Sequence, residues 1–318
     1  MTSNSSVLLQ TGQKMPILGF GTWHATGEEL EKALDAALEA GYRHIDTATV
    51  YENECTIGKV LKKWFDSGKI KRSDLFIVTK VPPSGNRPKD IEKWLKQSLQ
   101  NLQITYVDLY LVHVPFAFED AGEDLHPHNK DGEIRLDVHT DHLKIWSTME
   151  QQVLEKRTKA IGLSNFNKKQ IEKILEHAKI PVSNLQIELH LNFQQKELVQ
   201  FCEQQNIRVT AYSPLGSYGF FKKIGVPNLL ENTVVLQLGV KYKKTPAQIL
   251  LKHIIQKKIV AIPKSSTVSR IEENIKLFDW ELTTEDMKEL NKLDCGEFGR
   301  ICNFSFFKGI EKHPEYPF

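Results

Sequence analysis

From residue 17 onward the chain repeats one pattern: a short apolar run, a polar loop, then a longer stretch whose apolar residues fall three or four apart. The short runs read as strands at 17–20, 44–46, 75–79, 108–112, 160–163, 185–188, 209–212 and 259–262. Between them lie helical stretches such as 28–40, where Leu30, Ala33, Leu34, Ala37 and Leu38 share one face and Gly41 ends the turn. Ser73, Asn167 and Thr245-Pro246 read as entry signals for strands or helices. Eight such alternations predict a (β/α)8 TIM barrel, although an open doubly wound sheet alternates in the same way. No Ser/Gly-rich linker, repeat or shift of composition divides the 318 residues, so residues 1–318 are expected to form a single domain.

Two segments fall outside the alternation. Residues 7–15, with Thr11-Gly12-Gln13 as a turn signal, predict an N-terminal β-hairpin placed to plug the barrel floor. The stretch 115–141 and the aromatic tail after Asp294, with Phe304, Phe306 and Phe307, are expected to be long active-site loops.

Composition narrows the picture. An apolar share of 40% and a charged share of 26% suit a globular protein with a substantial core. The net charge of +2 comes from interspersed acids and bases, so no nucleic-acid partner is expected. Cys55, Cys202, Cys295 and Cys302 are too scattered for a disulfide framework or a zinc site, and no metal is expected. The segment from Met1 to Ser6 lacks the basic flank and apolar run of a signal peptide, and no later segment sustains about 18 apolar residues. The expected setting is therefore the cytosol, away from membranes.

Candidate chemistry collects where the apolar runs stop, at Asp46, Lys80, His113, Ser164, Asn165, Gln186 and Lys264. Each alone reads first as a satisfied structural group, but in a barrel these positions share the rim that carries active sites, and their repetition at successive strand ends reverses that reading. Asp46, Tyr51, Lys80 and His113 form a set suited to carbonyl reduction. The carbonyl oxygen gains negative charge and needs a proton, yet a free phenol with a pKa of about 10 is a reluctant acid. Lys80 is expected to lower the pKa of Tyr51, Asp46 to keep Lys80 charged and fixed, and His113 to orient the carbonyl oxygen. Ser164 lies in Leu-Ser-Asn-Phe and not in a Gly-x-Ser-x-Gly elbow, which disfavours hydrolysis. A Gly-x-Gly-x-x-Gly phosphate loop is missing, Gly19-Phe20-Gly21 being the nearest approach. Residues 262–267 with Arg270 instead offer amides, hydroxyls and two cations to a phosphate dianion; an ordinary capped helix with a basic turn is the other reading.

Together these residues resemble the aldo-keto reductase family, particularly its aldose and aldehyde reductase branch, over almost the whole chain. The resemblance rests on the segment from Asp46 through Tyr51 to Glu54, on Leu109 to Pro115 with its strand-ending histidine, on Gly162 to Phe166, and on Ile262 to Ser265. It implies a catalytic tetrad of Asp46, Tyr51, Lys80 and His113, with Tyr51 as general acid and NADPH as cofactor. Ser164, Asn165 and Gln186 would bind the nicotinamide carboxamide, and Tyr212 would stack on its ring. Thr22 and Trp23 would lie beside cofactor and substrate, while Ser213, Leu215 and Ser217 would form a strap over the pyrophosphate. Lys264, Ser265, Thr267 and Arg270 would hold the 2′-phosphate, with Glu273 and Asn274 on the adenine.

Departures from the family pattern sharpen the expectation. Val114 and Pro82 stand where aldose reductases usually carry tryptophans, the strap at 216–221 has no acid, and His24 replaces a common lysine. The substrate pocket, lined by Trp23, Pro82, Val114, Phe116, Phe118 and Phe304, is therefore expected to be wide and apolar and to favour hydrophobic or bulky carbonyl compounds. A monomer acting on small molecules is expected. A ketosteroid- or ecdysteroid-type ketone reductase, and a non-enzymatic NADPH-binding regulatory or structural protein, remain alternatives on the same fold.

Overall fold

Parallel strands cannot be joined by tight turns, so each apolar run needs a crossover, and the helical stretches supply it. The computed structural model describes residues 5–221 and 225–318; residues 1–4, within the segment read for a signal peptide, lie outside the described residues. Strands β1 (Ser6–Leu8) and β2 (Lys14–Pro16) make the antiparallel N-terminal hairpin. Eight parallel strands follow in sequential order: β3 (Phe20–Gly21), β4 (His44–Asp46), β5 (Phe76–Val81), β6 (Val107–Val112), β7 (Thr158–Ser164), β8 (Asn184–Glu188), β9 (Arg208–Tyr212) and β10 (Val260–Ala261). The crossovers are α1 (Gly27–Ala40), α2 (Glu54–Asp66), α3 (Pro88–Leu102), α4 (His142–Leu154), α5 (Lys168–Leu175) and α6 (Lys196–Gln204). Before β10 come α7 (Tyr218–Phe221), α8 (Thr233–Tyr242) and α9 (Pro246–Ile255); α10 (Val268–Asn274) and α11 (Thr284–Asn291) follow it.

The sheet closes on itself into a (β/α)8 barrel. The amide of Ala261 donates to Ile17 O at 2.9 Å, that of Gly19 to Ala261 O at 2.8 Å, and that of Gly21 to Pro263 O at 3.0 Å. Pairing thus starts at Ile17, as the apolar run predicts, although the ladder to β4 covers only Phe20 and Gly21. The two glycines that approach a nucleotide-loop pattern belong to this seam. A Cβ on Gly21 would stand 2.6 Å from the Ile262 carbonyl oxygen, and one on Gly19 would stand 2.6 Å from the His44 ring. At Gly21 only glycine lets the first and last strands come this close, and at Gly19 it leaves room for the imidazole of β4.

Every residue of β5 and β6 is buried, because barrel core covers one face and helices the other. Helix α1 buries Leu30, Ala33, Leu34, Ala37 and Leu38 and stops at Gly41, whose φ of 104° lets its amide reach back to Leu38 O. Asn167 caps α5 and Thr245 caps α9, each in a reciprocal box with the glutamine three residues on. Ser73 differs from expectation: it sits inside a single 3-10 turn, where Asp74 accepts from the Lys71 amide at 2.8 Å and does the capping. The hairpin turns at Gly12 and sends Val7, Leu9 and Met15 into the barrel core. Arg208, at the start of β9, donates to Leu8 O at 2.9 Å, so the plug covers the end where strands begin, opposite the rim. Among the described residues no helix is long and apolar enough to cross a membrane.

The seam makes a direct prediction. Gly21→Ala should destabilise the protein by about 1–3 kcal/mol, since the opposing atom is backbone and cannot swing aside. Gly219→Ala, with open space around its added Cβ, should stay within about 0.5 kcal/mol of the parent. Urea denaturation of the two variants checks this, and equal costs would refute the seam argument.

Candidate active site

Side chains alternate along a strand, so on β5 Thr79 points outward, donating to Glu54 at 2.6 Å, while Lys80 points into the barrel. Lys80 has no solvent exposure. Its Nζ donates to Asp46 Oδ1 at 2.6 Å and to Thr47 O at 2.8 Å, and lies 3.3 Å from the Tyr51 hydroxyl. Asp46 ends β4, and its second oxygen accepts from Gln186 Nε2 on β8 at 2.7 Å. Tyr51 closes a single 3-10 turn after β4, and the His113 ring meets it edge-on at 5.7 Å between centroids. Four residues from three strand ends and one turn therefore meet at the rim, as the sequence suggests.

Burial sets the charges here. It raises the Tyr51 phenol well above its ordinary value, with further upward pushes from Asp46 and Cys302. This reverses the lowering expected from Lys80. The ammonium is already offset by Asp46, while removal of water penalises the phenolate. Burial also pulls the pKa of Lys80 down, with Asp46 opposing, and holds His113 well below its ordinary value, aided by Lys80 and His126. In the ligand-free protein Tyr51 is thus a protonated phenol and His113 a neutral imidazole at neutral pH.

Around this cluster lies a frame of hydrogen bonds. Thr22 Oγ1 donates to Asp46 O at 2.9 Å, and Asn53 Nδ2 donates to Thr22 O and Ala25 O while its Oδ1 accepts from Thr47. Asn165, held at a φ of 63°, donates to His113 O and to Ser164 Oγ and accepts from the Tyr212 hydroxyl at 2.8 Å. The structure therefore brings Thr22, Ser164, Asn165, Gln186 and Tyr212 around the tetrad.

The strap follows β9. Ser213 and Ser217 join through their hydroxyls at 2.8 Å, both with left-handed backbones, and Leu215 is partly buried against the core. The basic segment after β10 is more open. Lys264 lies 3.6 Å from Glu29, Ser265 Oγ accepts from the Thr267 amide, and Arg270 is exposed. Glu273 accepts from Thr245 Oγ1 at 2.7 Å, whereas Asn274 is buried and its Oδ1 has no hydrogen-bond partner among the described residues. A groove of about 1400 Å³ between α1, α8, α9 and α10 takes in Glu273 but none of the tetrad.

Of the expected wall residues, Trp23 is exposed with its ring against His24, while Pro82 is buried. Val114, Phe116, Phe118 and Phe304 pack with Ile134 and Ile310 into a separate loop core. Phe116 and Phe118 have no exposure, and Val114 and Phe304 are buried with them. Asn86 Nδ2 holds Val114 O and Phe116 O, both at 3.0 Å, and Arg87 reaches Phe118 O at 2.8 Å and Asp137. The tail is tied on by His313 to Asp137 O at 2.9 Å, by Glu315 to Gln170 at 3.0 Å, and by Pro317 O to Asn167. Sequence reasoning passed over Asn53, Asn86, Arg87 and Glu188. The available signal for Glu188 was alternation: it lies two residues beyond Gln186 on the same strand. Among the described residues no cluster of three or more His, Cys, Asp or Glu is arranged to hold a metal ion.

Fold and site together define a (β/α)8-barrel protein whose rim holds a buried lysine–aspartate pair against a tyrosine. The profile of the Aldo/keto reductase family matches residues 17–294. Aldo-keto reductase family 1 member A1 of Mus musculus and that of Homo sapiens are each 45% identical to it over 292 residues, covering 91% of this chain and 89% of theirs. The solved structure of the aldose reductase from Schistosoma japonicum superposes with a TM-score of 0.91 at 41% identity, covering 98% of both chains. The chain belongs to the aldo/keto reductase family, and is an oxidoreductase by that membership.

The buried pair predicts an asymmetry between variants. Lys80→Met should cost about 3–5 kcal/mol, because it strands the Asp46 carboxylate away from water and from its cation. Tyr51→Phe removes one hydroxyl from a long contact and should cost about 1 kcal/mol or less. Guanidinium denaturation curves decide, and a Lys80→Met variant as stable as Tyr51→Phe would contradict the pairing.

Proposed function

We propose that this protein reduces aldehydes and ketones to alcohols with NADPH, and that Tyr51 delivers the proton. The observation that carries the reading is the contact of Lys80 with both Asp46 and the Tyr51 hydroxyl inside the barrel rim. The residues present suit the cofactor. Asn274 keeps a buried oxygen without a partner among the described residues near the basic segment, where Lys264 and Arg270 offer two cations to the 2′-phosphate. Ser265 and Thr267 would complete that phosphate site, Glu273 and Asn274 the adenine end, and Ser213, Leu215 and Ser217 the strap. Ser164, Asn165, Gln186 and Tyr212 would hold the nicotinamide, with Thr22 and Trp23 alongside. When bound, that group supplies a hydride to the carbonyl carbon.

The chain's own residues do the rest. His113, neutral, orients the carbonyl oxygen and leaves it facing the Tyr51 hydroxyl. As the carbonyl π electrons move onto oxygen, Tyr51 transfers its proton there and becomes a phenolate. The Lys80 ammonium stabilises that anion, and Asp46 keeps Lys80 in place until solvent returns a proton. The raised pKa of free Tyr51 keeps the donor loaded, and the pair beneath it lessens the cost of giving the proton up.

Val114 and Pro82, backed by the aromatic loop core, favour hydrophobic carbonyl compounds, and their small size extends the reading to bulky, steroid-like ketones. The assembled tetrad weighs against a purely regulatory or structural role. The whole chain acts as one barrel domain, as a cytosolic monomer on small molecules.

Decay of NADPH absorbance with an aromatic aldehyde tests the reading. Tyr51→Phe should lower kcat by about 10²–10⁴-fold while leaving NADPH affinity nearly unchanged. With Tyr51 raised and His113 lowered, the rate of reduction should stay flat between about pH 6 and 8 and fall only at alkaline pH, as the donor loses its proton. Retained turnover in Tyr51→Phe, or a break at an ordinary histidine pKa, would refute the assignment. For the cofactor, Arg270→Ala or Lys264→Ala should weaken NADPH by roughly 10- to 150-fold and NADH far less, measured by fluorescence titration. Equal losses would mean that the 2′-phosphate lies elsewhere.

A further inference from the structure

Glu188 ends β8 and is buried, apart from the Asp46–Lys80–Tyr51 cluster. A buried carboxylate needs full compensation, and salt bridges to Lys or Arg are the usual source. Here the compensation comes from the backbone of a segment that joins the barrel after all its strands. Glu188 Oε1 accepts from the Ile301 amide at 2.8 Å and Oε2 from the Cys302 amide at 2.7 Å. His190 Nε2 donates to Oε1 at 2.9 Å, and completes the set. Two consecutive amides on one carboxylate fix both the position and the direction of the chain that carries them.

That chain leads straight into the pocket wall. Cys302 packs against the loop core of Val114, Phe116 and Phe304, and burial pushes its thiol up to about 12, so it stands there as a neutral group. Two residues on, Phe304 turns through a φ of 60° and meets Phe116 at 5.3 Å. Nearby contacts dock the preceding residues on the same β8–α6 loop: the Cys295 amide donates to Asn192 O at 2.8 Å, and Arg300 lies over the Phe193 ring at 4.5 Å.

We propose that Glu188 is a positioning residue for substrate selection: its carboxylate anchors the 301–302 backbone and thereby sets the wall of Cys302 and Phe304 against the proton donor. The inference rests on the carbonyl-reductase reading above. A small aldehyde that touches only Tyr51 and His113 does not need this wall. A bulky one is gripped by it, so loosening the anchor raises its KM more than it lowers its kcat.

Two variants approach the contact from opposite sides. Glu188→Gln keeps the shape but replaces one acceptor with a donor facing an amide. Ile301→Pro keeps the carboxylate and deletes one amide, and the preceding Arg300, at ψ 129°, already has the backbone a proline requires. For each, kcat and KM are measured with a bulky aromatic aldehyde and a small aliphatic one, and backbone hydrogen exchange is followed across 300–304. The expected result is a KM for the bulky aldehyde raised about tenfold or more, with kcat and the small aldehyde changed less than about threefold. Exchange should quicken at the Cys302 amide in both variants. Equal losses on both aldehydes, or unaltered exchange, would overturn the proposal. If the parent protein turns over neither aldehyde, the carbonyl-reductase reading falls, and with it the selection role; exchange alone then reports whether Glu188 anchors the wall.

Discussion

A lysine ammonium sealed from water constrains everything built around it. Moving such an ion out of water costs several kcal/mol even after relaxation, so Lys80 is tolerable only while Asp46 and Thr47 O meet its protons. Asp46 is tolerable only while Lys80 and Gln186 share its oxygens. The partners come from β4, β5 and β8, which ties strands on different sides of the barrel into one electrostatic unit. A slip of one residue on β5 would turn Lys80 out among the helices and bring Thr79 inward, so the pair also fixes strand register. Tyr51 gains its place from the same arrangement, as the next polar group within reach of Nζ.

The barrel is legible in the sequence because its strands are buried on both faces and therefore read as plain apolar runs, as β5 and β6 show. Asp46, Lys80, His113 and Gln186 are legible for the complementary reason: a polar residue at the end of such a run has nowhere to go but the rim. Gly19 and Gly21 are harder. Their reason is the close approach of Ile262 O and the His44 ring, contacts made across more than 200 residues or across a strand pair, which no local pattern records. Asn53, Asn86 and Glu188 escaped notice for a related reason. They serve backbone carbonyls and amides supplied by distant loops, and a residue's sequence context does not reveal which backbone will arrive beside it.

The direction of the Tyr51 shift is instructive in the same way. Residue identities suggest a cation lowering a phenol, and the geometry contains that cation. What the identities omit is that Asp46, paired with the cation, pushes the phenol the other way, and that burial, the larger cause, penalises the phenolate. The aromatic residues likewise behave as a group. Phe116, Phe118, Val114 and Phe304 are buried together in a loop core separate from that of the barrel.

That separation bears on the order in which the molecule is made. Residues 301–317, which Glu188, Gln170 and Asn167 receive onto the barrel, follow the last of the eight strands in the chain. During synthesis from the N-terminus, β3 through β10 and the Asp46–Lys80–Tyr51 cluster are complete before this segment emerges. The segment that Glu188 anchors therefore docks onto strands and a buried lysine–aspartate pair that all precede it in the chain, so the barrel's electrostatic unit can be in place before its outer loop core is laid over it.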